Sequence, residues 1–204
     1  MTNHLYINDL PQGLTFSDIV AIDCESMGLK PHRDRLCLVQ LSGGDGDCHM
    51  VQFPTPSDYS APNLKAVLSN DTLVKLFHFA RFDIAIIDQY LGILCEPVYC
   101  TKIASKLVRT FTDRHGLKDL CKELLGVDIS KQQQSSDWGA SELSTDQQNY
   151  AATDVIYLHK IKEILDIRLQ REQREELAAA CFKFLPYRAR LDLAGWDEMD
   201  IFHH

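Results

Sequence analysis

The sequence predicts an α/β protein in which a mixed sheet is flanked by helices. Three observations carry that expectation. The β-branched apolar run Ile19-Val20-Ala21-Ile22 reads as a buried strand. Two further apolar arms flank the turn-rich Gly43-Gly44-Asp45-Gly46 and read as a hairpin. After these three meandering strands, helix-like and strand-like segments alternate, and the chain finishes in helical periodicity.

The elements follow in order. The hairpin arms are Arg35 to Ser42 and Cys48 to Phe53, after which Pro54, Pro56 and Pro62 mark a loop. Asn63 to Leu68 suits a short helix, Leu73 to His78 a buried strand, and Phe82 to Leu91 a helix stopped by Gly92. A short strand is predicted over Pro97 to Thr101, with helices over Lys102 to Val108 and Leu117 to Leu125, the latter closed by Gly126. Ser130 to Ser141 is polar but contains Trp138, so it reads as an ordered loop rather than a linker. Thr145-Asp146-Gln147-Gln148 reads as a capping box for one long helix bearing Tyr150, Ala151, Val155, Leu158, Ile161 and Leu165 at helical spacing. A last helix from Gln173 to Leu185 is expected to stop at Pro186 and leave an irregular tail. No internal repeat is visible, and 204 residues suit a single domain over 1–204, with its motifs within 19–158 and C-terminal helices and tail over 171–204.

Composition narrows the function classes. No apolar run reaches membrane-spanning length, and no basic segment followed by an apolar stretch opens the chain, so neither a membrane protein nor a signal peptide is expected. The seven cysteines are scattered with no C-x-x-C pair, which argues against a zinc knuckle or disulfide framework and for a reducing cytoplasmic setting. A net charge of −8 disfavours a sequence-independent grip on long nucleic acid, yet leaves room for a nucleotide substrate whose local field is set by bound cations.

The acids are the most informative residues. Asp23 and Glu25 end a buried strand run with one residue between them, so they point the same way while Cys24 turns to the other face. Like charges so placed call for a cation between them. Asp83 opens a helix directly after a strand, a position where ligands bind in α/β sheets. Tyr150 and Asp154 are four apart and share a helix face that carries small residues such as Ala151. Four carboxylates from three elements, with a phenol beside one, make a hard-oxygen set suited to Mg²⁺ or Mn²⁺ and lacking soft ligands for zinc or copper. Taken singly, an aspartate at a helix start is usually a cap and a Tyr–Asp pair a surface contact; the pair on the strand has few structural uses.

These residues resemble the tyrosine-bearing branch of the DEDD 3′–5′ exonucleases, and within it the ribonuclease D family. Its D-x-E is similar to Asp23-Cys24-Glu25, its second aspartate to Asp83 in His78-Phe79-Ala80-Arg81-Phe82-Asp83, and its Y-x-x-x-D to Tyr150 through Asp154. Ser136-Asp137-Trp138 and Gly116 to Leu120 share the likeness, which covers about residues 15 to 170. The resemblance implies a ribonuclease H-like fold. The family carries further helical nucleic-acid-binding domains, which the length here does not accommodate. The tail Gly195 to His204 and the bare-domain length resemble the short nanoRNase C group, which implies action on RNA fragments down to diribonucleotides and an octameric ring.

The resemblance implies a metal-dependent exoribonuclease that hydrolyses phosphodiesters from the 3′ end, with two ions held by Asp23, Glu25, Asp83 and Asp154. Tyr150 would orient the attacking water and help to deprotonate it. By resemblance Leu29 wedges between the last two bases; otherwise it covers the start of a loop. His78 and Phe82 are expected at the 3′-terminal sugar or base, with a core role the alternative for Phe82. Trp138 stacks on a base or anchors its loop. Lys131, Arg109, Arg114 and His115 are candidate phosphate contacts, and His203 and His204 receive no metal role. A homo-oligomer is expected because Leu177, Cys181, Phe184 and Leu185 need a partner or a core. The competing readings are an exonuclease on DNA or on longer structured RNA, since carboxylates do not select the sugar, and an inactive nucleic-acid-binding scaffold, disfavoured by retention of all four acids and Tyr150.

Overall fold

The structure is a computed structural model that describes residues 2–130 and 132–203. Its elements are β1 (Thr2–Ile7), β2 (Ile19–Ser26), β3 (Leu36–Ser42), β4 (Asp47–Gln52), α1 (Pro62–Leu68), β5 (Val74–Phe77), α2 (Arg81–Leu91), β6 (Val98–Cys100), α3 (Thr101–Val108), α4 (Leu117–Leu120), α5 (Thr145–Ile156), α6 (Leu158–Arg171) and α7 (Glu175–Leu191). Wider turns of π type extend α4 over Cys121–Leu125 and α7 over Asp192–Trp196.

The six strands form one mixed sheet in the order β1-β4-β3-β2-β5-β6. The β2–β3 and β3–β4 pairs are antiparallel, as the meander requires, while β5 and β6 add to β2 in parallel through helical crossovers. All seven residues of β3 are buried, as are six residues of α2, so the centre of the sheet is covered on both faces. Helix α5 packs over β1 to β4, α2 over β2 and β3, and α7 against α2 and β6. Leu36, Leu38, Leu41, Phe77 and Ile84 are among the side chains wholly withdrawn from water in the core.

Several expectations require correction. β1 was not anticipated; it is a parallel edge strand on β4, and most of its residues are only partly buried. The acids lie in the C-terminal half of β2, as expected, and antiparallel pairing with β3 carries the strand on to Ser26. The capping box starts one residue earlier: Gln147 N–H donates to Ser144 Oγ (3.2 Å), and Ser144 N–H donates to Gln147 Oε1 (3.0 Å). The single long helix is two helices, α5 and α6, meeting at Tyr157. Helix α7 runs through Pro186, since burial of Ala178, Phe182, Leu185 and Ala189 outweighs a lost helical hydrogen bond. Gly92 and Gly126 end their helices with left-handed φ of 69° and 71°, the conformation glycine adopts without steric penalty. No described helix is long and apolar enough to cross a membrane.

Candidate active site

The central position of β2 places the first two acids. Asp23 and Glu25 alternate with buried Cys24, and carboxylate oxygens of Asp23, Glu25 and Asp154 lie within 4.8 Å of one another. Asp23 is fixed from the neighbouring strand: Gln40 stands directly opposite it in the register, and Gln40 Nε2 donates to Asp23 Oδ2 at 3.0 Å. Sequence reasoning missed Gln40, although a glutamine inside the otherwise apolar run Leu36 to Leu41 was a visible signal.

Asp83 sits in the first turn of α2 and is 4% exposed. Its Oδ1 accepts the backbone N–H of Cys24 at 3.0 Å, which ties the helix to the stretch of β2 between the two other acids. Asp154 and Tyr150 come from α5, where the i, i+4 spacing lets the phenol donate to the carboxylate. Buried Ala151 keeps that helix close to the sheet.

Electrostatics follow from this crowding. Burial first, then the charges of Asp83, Asp154 and Glu25, push the Asp23 carboxyl well above the usual carboxylate range. Burial followed by Asp154 and Asp83 does the same to Glu25. Burial raises Asp83 to about 8 even though the Cys24 N–H opposes the rise. The Tyr150 phenol is also pushed up, by burial and then by Asp154, Glu25 and Asp23, so it stays protonated. Such a set holds protons or gathers cations; with oxygen donors alone, it fits a hard divalent ion.

The expected substrate contacts divide. Leu29 is 82% exposed, on a loop whose close packing needs Gly28: a Cβ there would lie 2.3 Å from Asp34 Oδ2. His78 Nδ1 meets Thr101 Oγ1 at 2.9 Å, a partner the sequence reading did not include. Phe82 packs partly buried against the core. Trp138 is 3% exposed, with its ring centroid 6.0 Å from that of Tyr150, so it anchors its loop beside the phenol and offers no face for stacking. Gln147 holds the same loop, donating through Nε2 to Ser136 Oγ and to the Asp137 carbonyl. Arg109 is not a surface phosphate contact: it is wholly buried, bonded to Glu123, Ser105 and the Arg114 carbonyl. Arg114 is exposed, and His115 pairs through Nδ1 with Ser105 Oγ. Lys131 and His204 lie outside the described residues, and exposed His203 stands on the tail.

Comparison with known proteins places this geometry. Residues 6–170 match the 3′–5′ exonuclease family. Ribonuclease D of Gluconacetobacter diazotrophicus is 37% identical over 161 residues, which is 79% of this chain and 40% of that protein. The chain thus spans about two-fifths of the length of the ribonuclease D relatives it matches. NrnC of Brucella melitensis with bound Mg²⁺ is 53% identical with a TM-score of 0.94, and each chain is covered in full. The same protein bound to pGG is 54% identical with a TM-score of 0.95, covering 100% of this chain and 99% of that one. The likeness accounts for the mixed sheet as a ribonuclease H-like exonuclease fold. A match of this extent, on a fold that gathers acids from β2, α2 and α5, establishes that the chain belongs to the 3′–5′ exonuclease family.

Proposed function

We propose that the chain is a metal-dependent 3′–5′ exoribonuclease acting on short oligoribonucleotides, diribonucleotides among them. The convergence of Asp23, Glu25 and Asp154 carboxylates within 4.8 Å, beside Asp83 and Tyr150, carries the reading. Asp23, Glu25, Asp83 and Asp154 would hold two divalent ions, Mg²⁺ or Mn²⁺. When bound, such ions lower the pKa of water and neutralise charge on the phosphodiester and the leaving oxygen. The residues' own part is positional. Gln40 restrains Asp23, the Cys24 N–H restrains Asp83, and the raised pKa of Tyr150 suits its hydroxyl to orienting the attacking water rather than taking its proton.

Support for a short RNA substrate comes from the full-length likeness to a protein solved with pGG, and from the exposed Leu29 at the mouth of the loop after β2. His78 would contact the terminal nucleotide, with Phe82 behind it. The protein would work in the cytoplasm, in keeping with seven free cysteines, six of them buried. It would assemble as a homo-oligomer, up to the octameric ring that the resemblance implies, through apolar side chains left exposed on α6 and α7, among them Ile167, Leu177 and Tyr187.

The test is a degradation series on 3′-matched RNA and DNA of two, five and about twenty nucleotides, with Mg²⁺, with Mn²⁺ and with chelator, run beside Asp→Asn variants of the three aspartates and Glu25→Gln. Rapid, metal-dependent loss of the shortest RNA in the parent protein and none in the variants is expected. Rates that climb steadily with length, or match on DNA, would overturn the short-RNA reading.

A further inference from the structure

At the start of α2, which carries Asp83, one part of the surface is held at a conformational cost while leaving an aromatic ring half-exposed. Phe79 follows His78 at the junction of β5 and α2, and its backbone is left-handed, with φ 69°. Side chains other than those of glycine and asparagine rarely adopt that conformation, and such outliers cluster at functional positions. The ring is only half-buried in return. It is 48% exposed, and the Lys102 ammonium stands 3.8 Å from its centroid.

Lys102 belongs to the first turn of α3, and Lys106 lies one turn on along the same face. Burial, and then the charge of Lys106, lower the Lys102 pKa, so the two ammonium groups feel each other. Neither forms an ion pair with a carboxylate among the described residues. Both lysines and Phe79 line a cavity of about 540 Å³, which Asp197, Glu198 and Asp200 of the tail also line without pairing to either. The cavity and the candidate active site draw on the same stretch of chain: Arg81, which lines the cavity, shares the first turn of α2 with Asp83. Phe79 is the next residue after His78, and Lys102 is the next after Thr101, whose hydroxyl meets His78.

We propose that Phe79, Lys102 and Lys106 form an accessory subsite for one nucleotide of the RNA strand, away from the bond being cut. The inference rests on the exonuclease reading above. A base takes the flat exposed ring, as bases do on aromatic platforms. The long Lys102 stem lets its ammonium leave the ring and join Lys106 on a phosphate, an anion that neither ammonium finds in a carboxylate among the described residues. The tail carboxylates in the same cavity repel a second phosphate and confine the subsite to one.

Two independent variants test this, read on two substrates. The substrates are a trinucleotide RNA and the p-nitrophenyl ester of thymidine 5′-monophosphate, a single-nucleotide phosphodiester that cannot reach the subsite. The double variant Lys102→Gln/Lys106→Gln is expected to raise KM for the RNA about tenfold and to flatten its salt dependence. Phe79→Asn keeps a residue that tolerates positive φ while removing the ring, and is expected to raise the same KM about five- to tenfold. Both variants should cleave the ester within about twofold of the parent rate, since the reacting groups are untouched. Unchanged RNA KM and salt slope in both variants would overturn the subsite, and so would an equal loss on both substrates, which marks a structural role. A parent protein inert on both substrates would instead overturn the exonuclease reading, and the subsite with it.

Discussion

Asp83→Asn should make the metal-free protein more stable at neutral pH while removing its activity. Burial holds the Asp83 carboxyl at about 8 in the folded chain against an ordinary value of 3.8. The folded state therefore keeps a proton that the unfolded chain has lost, and stability falls as pH rises from about 4 to about 8. At about 1.4 kcal/mol per unit, the roughly three units between the ordinary value and neutrality amount to at most about 4 kcal/mol. That is a large part of the roughly 5–15 kcal/mol that holds a domain folded. Asparagine is nearly the same size, and its amide oxygen still accepts the Cys24 N–H, so the charge penalty goes while the tie between β2 and α2 stays. The assay is urea unfolding of both proteins in chelator near pH 5 and near pH 8. The parent should lose several kcal/mol between the two and the variant clearly less. Excess Mg²⁺ should reverse the order near pH 8, because an ion bound only to the folded state stabilises it by mass action. A parent protein whose metal-free stability rises over that interval, or a variant no more stable than the parent near pH 8, would refute the reasoning.

Tyr150→Phe should lower kcat about a hundredfold with KM nearly unchanged, as expected of a hydroxyl that acts on water; steady-state kinetics on a short RNA check it, and a change in KM alone would make the phenol a binding group. Ser144→Ala removes the cap of the helix that carries Tyr150 and Asp154, and should cost about 1 kcal/mol by urea unfolding. Asp192→Asn breaks a network in which Asp192 accepts two bonds from Arg81, at 2.5 and 2.7 Å, and one from Arg188 at 2.6 Å. It should cost about 2 kcal/mol and expose the tail after Asp192 to limited proteolysis.

Much of this arrangement was legible because local chemistry and tertiary outcome agree. Ile19 to Ile22 had no other use than a buried strand, and Gly92 and Gly126 end their helices in the one conformation glycine alone favours. The acids were legible because a polar pair on a buried strand has few structural roles. What was missed depends on partners distant in the chain. β1 pairs in parallel with β4 some forty residues later, without a hairpin turn to announce it. Pro186 read as a stop because its lost hydrogen bond is local, whereas the packing of α7 on α2 that overrides it is not. Arg109 looked like a phosphate contact by residue type; only the fold could reveal that Glu123, Ser105 and the Arg114 carbonyl claim it, whereas for Trp138 burial beside Tyr150 selects the loop anchor from the two readings the sequence offered. Ser144 and Thr145 both suit a cap, and the hydrogen bonds to Gln147 select the first.

The bond from the Cys24 amide to Asp83 has one more consequence. An amide proton shared with a carboxyl shifts its magnetic resonance as that carboxyl gains or loses its proton, and this amide lies between Asp23 and Glu25 in the sequence. A single ¹H–¹⁵N signal therefore reports the ionisation of Asp83 from within the stretch that carries Asp23 and Glu25. Deep in the central strand and bonded to a buried acceptor, that hydrogen should exchange with solvent only when the sheet opens. Labelled cysteine alone would make the charge state of the candidate site visible in solution without substrate, dye or mutation, and would separate titration of the acids from the arrival of an ion.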